Sequence, residues 1–361
     1  PVGSGPFQFS KLRRDAAGNI TALELTAFAQ YHAGRPYLDG INFAFFPAED
    51  KMIAALNQSE IDGVSFISSQ KLNSIRLPGR LTIKKLQLPR YFAVFFNQTQ
   101  SKQFSDKNVR LALNYATAKA AILDELLDGQ GKVVDSPLLP GIINLPEPTT
   151  RYDYDLNKAK ALLDQAGWVY SEKDQIRQKT PATPKNSTEI PVPLKLEIRL
   201  TTSNWPELVT AANVLKQQWE QVGMRVNVEV LPLPELQQAI KERSYESLLF
   251  GEVLGLDPDP YSFWHSSQKK DPGLNLALYD NKSADKLLEE GRQTLDRTAR
   301  LAKYAEFQNI ALADAPAVFL YSPDYLYGLP AGVHNGSRPI ISVPSDRLNT
   351  AQQWYIETKR E

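Results

Sequence analysis

The 361-residue chain has no cysteine, only three histidines and two methionines, and its 41 Lys+Arg are balanced by 41 Asp+Glu. The missing cysteine excludes disulfides, thiolate nucleophiles and Cys-type metal sites. His32, His265 and His334 stand too far apart for a His-x-x-x-His or His-Glu-x-x-His pair, so no metal site of that helical kind is expected. Zero net charge provides no general field to draw the chain to nucleic acid or an anionic membrane. No stretch approaches the ~20 apolar residues of a spanning helix. Gly-x-Ser-x-Gly is absent, and Gly3-Ser-Gly5 and Gly129-Gln-Gly131 lack the strand-to-helix context of a phosphate-binding loop.

What is present is organised around Pro89–Leu127. Tyr91–Phe96 is an aromatic and apolar run bounded by Pro89 and the polar loop that opens at Asn97, the length and composition of a buried strand. Ser105 or Asp106 then offers an N-cap, and Val109, Ala112, Leu113 and Ala116 recur at helical spacing. A buried strand passing directly into an amphipathic helix reads as the first crossing between two lobes, since 361 residues is long for one core. Before it, Phe7–Leu12, Thr21–Ala29, Ile41–Phe46, Val64–Ile67 and Leu81–Leu88 read as strands, with a helix after Pro47. After it, the strands Leu194–Thr201, Arg225–Leu231 and Ser247–Leu254 alternate with helices over Trp205–Val222 and Leu233–Lys241, an α/β pattern. In Tyr152–Trp168, Asp155 caps a helix that buries Ala159, Leu162, Leu163 and Ala166, and Gly167 ends it. Ser171–Val192 is polar and reads as an exposed hairpin tip or loop. Two helices, Ser283–Leu295 and Arg297–Ala313, precede a second buried run at Pro316–Tyr321, the second crossing. The lobes are thus residues 1–93 with 321–361, and 94–320.

Several motifs resemble the family 5 extracellular solute-binding proteins of ABC importers, the oligopeptide-, dipeptide- and nickel-binding proteins. They are Asn97 with Phe104-Ser-Asp-Lys-Asn-Val-Arg110-Leu-Ala, Tyr152–Trp168, and Gly255-Leu-Asp257-Pro-Asp259-Pro260. Gln103 stands where the family has proline. The opening Val2-Gly-Ser-Gly-Pro6-Phe resembles a motif that in this family lies well inside the chain, so a longer protein is expected, with any signal peptide and lipid anchor in its earlier part. The resemblance implies a class II periplasmic-binding-protein-like fold, α/β with mixed sheets, two lobes and two hinge crossings, that closes on a solute. It implies a monomeric receptor, periplasmic or cell-surface, that takes short peptides without a cofactor and delivers them to a membrane permease. A non-peptide solute, an oligosaccharide or a metal chelate, is the alternative.

Candidate ligand contacts follow from both readings. Asp257 and Asp259 sit in the proline-rich loop, beside Trp264 and His265. In peptide-binding members an Asp of this loop pairs with the ligand's amino group; counted back from Asp259-Pro260 that position is Leu256, and Asp257 is one residue off. Glu252 is an alternative amine partner, where those members tend to have Gly-Trp. With the residues on or beside the expected cleft strands, the set is Phe66, Tyr91, Phe92, Asn97, Glu252, Leu254, Asp257, Asp259, Trp264, His265 and Tyr321. The rival classes are a hydrolase using Asp257, Asp259 or Glu252 with His265, and an interaction module that has lost its ligand. A two-residue carboxylate spacing does not suggest a glycosidase, whose carboxyl groups lie ~5–9.5 Å apart across the bond.

Overall fold

The computed structural model describes residues 3–76, 79–181, 191–336 and 338–357. The chain forms two compact units, Pro1–Leu88 with Asp324–Glu361, and Pro89–Pro323. It passes between them twice, at Leu88/Pro89 and at Pro323/Asp324. The boundaries expected at 93/94 and 320/321 are displaced for a clear reason. Strand Arg90–Phe96 pairs along its whole length with Ser247–Val253, and Tyr321–Pro323 pairs with Gly131–Val133, so both segments belong to the larger unit.

The larger unit is built on a mixed sheet in the order Arg225–Leu231, Glu197–Ser203, Ser247–Val253, Arg90–Phe96 and the first part of Ala317–Pro330. The first three strands are parallel, and Arg90–Phe96 is antiparallel to both of its neighbours. Both faces of Arg90–Phe96 are covered. Phe92, Val94 and Phe96 enter one apolar core with helix Pro206–Glu220. Tyr91, Ala93 and Phe95 enter another with helix Leu233–Glu242 and Arg297–Asp314. This two-sided burial is why the strand reads as a continuous apolar run rather than an alternating one. Gly251, opposite Phe92, leaves space for that ring: a Cβ there would lie 2.8 Å from Phe92 Cε1.

Side chains at the far end of the sheet fix the loop into the first helices. Asn97 is fully buried; its Nδ2 donates to Arg243 O and Tyr245 O, and its Oδ1 accepts from Thr99 N, Thr99 Oγ1 and Gln100 N. Arg110 donates to the carbonyls of Phe104, Asp314 and Ala315. Asp106 caps helix Lys107–Tyr115, and Asp155 caps Leu156–Gln165 through Lys158 N, with Gly167 beyond it at φ +80°.

Between Pro137 and Pro148, prolines that by themselves favour extended backbone, the chain forms a short helix, Pro140–Ile143, with Pro140 at its first turn, where the missing N–H costs nothing. The start of the polar Ser171–Val192 stretch is a hairpin, as one of its two readings had it: Val169–Ser171 and Ile176–Lys179 pair antiparallel, and Leu194–Lys195 adds a third strand. Arg177 anchors that sheet by donating to Val222 O and Trp168 O. Residues 182–190 lie outside the described residues.

The smaller unit pairs the second part of Ala317–Pro330 with Leu81–Gln87 and Val64–Ile67. It adds an antiparallel sheet of Phe7–Arg14, Ile20–Ala27 and Gly40–Ala44. Its main core joins Leu86, Tyr325, Tyr327, Leu329 and Trp354.

Because Arg90–Phe96 carries two cores, truncating either face should be equally costly. Phe95→Ala and Phe96→Ala are each expected to lower the unfolding free energy by about 3–5 kcal/mol in denaturant titrations. A cost under ~1 kcal/mol for one of them would mean that its face is not packed core.

Candidate functional site

The larger unit has a topological switch point. From Glu197–Ser203 the chain runs through helix Pro206–Glu220 to the neighbour on one side, Arg225–Leu231. It then runs through helix Leu233–Glu242 to Ser247–Val253, the neighbour on the other side. The two helices pack into opposite cores, so the connections leave the sheet in opposite directions. The carboxyl ends of such strands form a crevice suited to ligands. Here that edge holds the turn Ser203–Glu207 and the strand end Gly251–Leu254. The antiparallel pairing brings the start of the next strand to the same edge, with Val253 opposite Arg90, Glu252 opposite Tyr91 and Gly251 opposite Phe92.

Two clusters stand at this edge, one on each face. On the first, Tyr91 is fully buried and its hydroxyl donates to Glu252 Oε2. Glu252 is 2% exposed, and its Oε1 makes no hydrogen bond. Burial pushes the Glu252 carboxyl up to about 8, against the smaller opposing effect of the Tyr91 hydrogen bond. It is therefore largely a neutral acid at pH 7. Burial, then the Glu252 charge, raises the Tyr91 hydroxyl well above the usual phenol range. Trp264, Leu254 and Phe319 close this face as core.

On the second face, the Phe92 ring lies 5.2 Å from Tyr321 and 6.1 Å from Trp205. The Tyr321 hydroxyl donates to Glu207 Oε1 at 2.9 Å. Glu207 is held above the ordinary carboxylate range by burial, despite the Tyr321 hydrogen bond and the charge of Arg90.

The structure thus brings Tyr91, Phe92, Glu252, Leu254, Trp264 and Tyr321 to one region of the larger unit, and gives the other candidates surroundings of their own. Asn97 is at the opposite end of its strand with its side-chain hydrogen-bonding groups engaged within the protein, so it organises the loop. Asp257 accepts from Arg300 Nη2 at 2.8 and 3.1 Å, and Asp259 accepts from Arg292 Nε and Nη2 at 2.8 and 2.6 Å. Both loop acids are therefore tied to the helices behind them. His265 is buried, with Nδ1 2.8 Å from Ser267 Oγ and Nε2 3.2 Å from Glu289 Oε1. Phe66 lies in the smaller unit, 42% exposed, against Tyr325. Among the described residues no group of three or more His, Cys, Asp or Glu could hold a metal ion.

Trp205, Glu207 and Arg90 were not foreseen. The readable signal was Trp-Pro-Glu at a strand-to-helix junction, where proline fixes the first helical residue and leaves the flanking side chains at the sheet edge.

The chain's family can now be stated. A model of the bacterial extracellular solute-binding proteins, family 5 (Middle), matches residues 1–294. The chain belongs to this family. It is similar to the oligopeptide-binding protein AppA of Bacillus subtilis, with 27% identity over 366 residues covering 99% of this chain and 62% of that protein. Haem-binding protein A of Haemophilus influenzae is 26% identical over 88% of this chain and 53% of its own length. The solved structure of Bacillus subtilis AppA, in complex with a nonapeptide, matches with a TM-score of 0.72 and 26% identity over 99% of this chain and 67% of that one. The fold is thus the two-lobed one of these binding proteins. The chain spans less than two thirds of the length of the curated relatives it matches.

Glu252 gives a pH prediction with a definite sign. The unfolded chain ionises Glu252 near 4.5, whereas the folded chain holds the proton to about 8. Its contribution to stability is complete below the lower value and is lost as pH rises through the upper one. Relative to Glu252→Gln, the wild type should lose on the order of 4 kcal/mol between pH 4.5 and 8.5 in urea titrations. A difference that does not vary with pH would mean that the buried carboxyl is already ionised in the folded state.

Proposed function

We propose that this chain is the greater part of an extracytoplasmic receptor that captures short peptides and presents them to the permease of an ABC importer. Membership of the solute-binding family over residues 1–294 carries this reading. The relative named for oligopeptides, which aligns along nearly the whole chain, directs it to peptides. The relatives are solute-binding proteins rather than enzymes.

The solute seats at the carboxyl edge of the larger unit. Large apolar side chains open to it there are Trp205, 48% exposed, and Val253, 65% exposed. The strand ends offer backbone groups, and about six backbone hydrogen bonds at ~0.5–1.5 kcal/mol each, with one charge pair, bring affinity to the ~8 kcal/mol of a micromolar site. The receptor is monomeric and stands in the periplasm or at the cell surface, anchored by lipid in the whole protein. Hinge closure about the two crossings belongs to the same proposal. The acids of the hydrolase alternative are engaged within the protein: Asp257 and Asp259 each bond an arginine, and Glu252 accepts from the Tyr91 hydroxyl.

Native mass spectrometry of the gently purified whole receptor, followed by a denaturing spectrum, tests the solute class. A ladder of released short peptides is the expected result. A single non-peptide adduct, such as a porphyrin or a metal chelate, would overturn the peptide assignment.

A further inference from the structure

Trp205 is one of the chain's largest apolar side chains, yet it is 48% exposed. Its backbone is fixed, because Pro206 follows at the first helical position and Leu208 N and Val209 N both donate to Trp205 O. A rigidly mounted, half-exposed indole is characteristic of a recognition surface. The ring meets Phe92, Phe92 meets Tyr321, and the Tyr321 hydroxyl donates to Glu207 Oε1, so Trp205 and Glu207 stand on the same face of the sheet. Glu207 is part-buried and is held above the ordinary carboxylate range even with Arg90 nearby. An indole face attracts a cation through its quadrupole, and a part-desolvated carboxylate gives the same cation a directional partner. An anion drawn by Arg90 would meet Glu207 at the same place.

We propose that Trp205 and Glu207 form a subsite for a cationic group on the solute, an ammonium or guanidinium side chain, with Tyr321 as the residue that positions Glu207. The inference rests on the receptor reading above and specifies which solutes this edge prefers.

The test is calorimetric titration of the whole receptor with three tripeptides of equal length and identical termini: Ala-Lys-Ala, Ala-norleucine-Ala and Ala-Glu-Ala. The lysine peptide should bind about tenfold more tightly than the norleucine peptide. Glu207→Gln should bring that ratio close to unity while leaving the norleucine affinity within about twofold, which also shows that the variant is folded. Tyr321→Phe should reduce the ratio in part. A ratio unchanged in Glu207→Gln, or tighter binding of the glutamate peptide than of the lysine peptide, would overturn the subsite. If the wild type binds none of the three, it is the peptide reading that fails. The subsite is then read separately with arginine methyl ester, from the tryptophan emission of wild type minus that of Trp205→Phe. A saturable shift abolished by Glu207→Gln supports it, and no shift overturns it.

Discussion

The larger unit depends on one strand having no solvent face. Arg90–Phe96 lies between Ser247–Val253 and the return strand, and its alternate side chains fill two separate cores. That constraint fixes the register, because a slip of one residue would exchange Tyr91 and Phe92 between the faces. It also fixes the functional edge. The register places Tyr91 opposite Glu252 and Phe92 opposite Gly251, where a larger residue would strike the Phe92 ring. The crossing at Leu88/Pro89 immediately precedes this strand, so the candidate site and the start of the larger unit are neighbours in sequence.

The same edge holds two carboxyl groups for different reasons. Glu252 is entirely withdrawn from water and retains one oxygen without a partner, so it is tolerated as a neutral acid. Glu207 is only part-buried, and Tyr321 holds one of its oxygens. Asp257 and Asp259 are the reverse case, acids with arginine partners from the helices behind. These bonds hold the loop against the two helices. Surface pairs of this kind add little stability individually, so they fix loop geometry more than they strengthen the fold.

Much of the architecture was legible in the sequence because its signals are local. The Tyr91–Phe96 run, the Asp106 and Asp155 caps and Gly167 each identify an element by length, capping chemistry or backbone freedom. The unit boundaries were less legible, since where a strand ends its pairing depends on partners distant in sequence, such as Gly131–Val133. The candidate site was read in part. Aromatic residues on buried strands were found, but composition cannot say which face each one enters, and Tyr91 and Trp264 prove to be core. In the sequence, Trp205 and Glu207 read as the start of a helix. Their position follows only from the strand order, which makes that helix start the carboxyl edge of a doubly wound sheet.

A solute seated at this edge of the larger unit would shield the backbone amides of the strand ends and of the turn into the helix. Hydrogen–deuterium exchange on the whole receptor, with and without a saturating short peptide, tests this seating most directly. Slower exchange on binding is predicted for the amides of Asn204–Val209 and Gly251–Gly255. Unchanged exchange in both segments, with protection confined to the turn Leu329–Gly336 of the smaller unit, would contradict it.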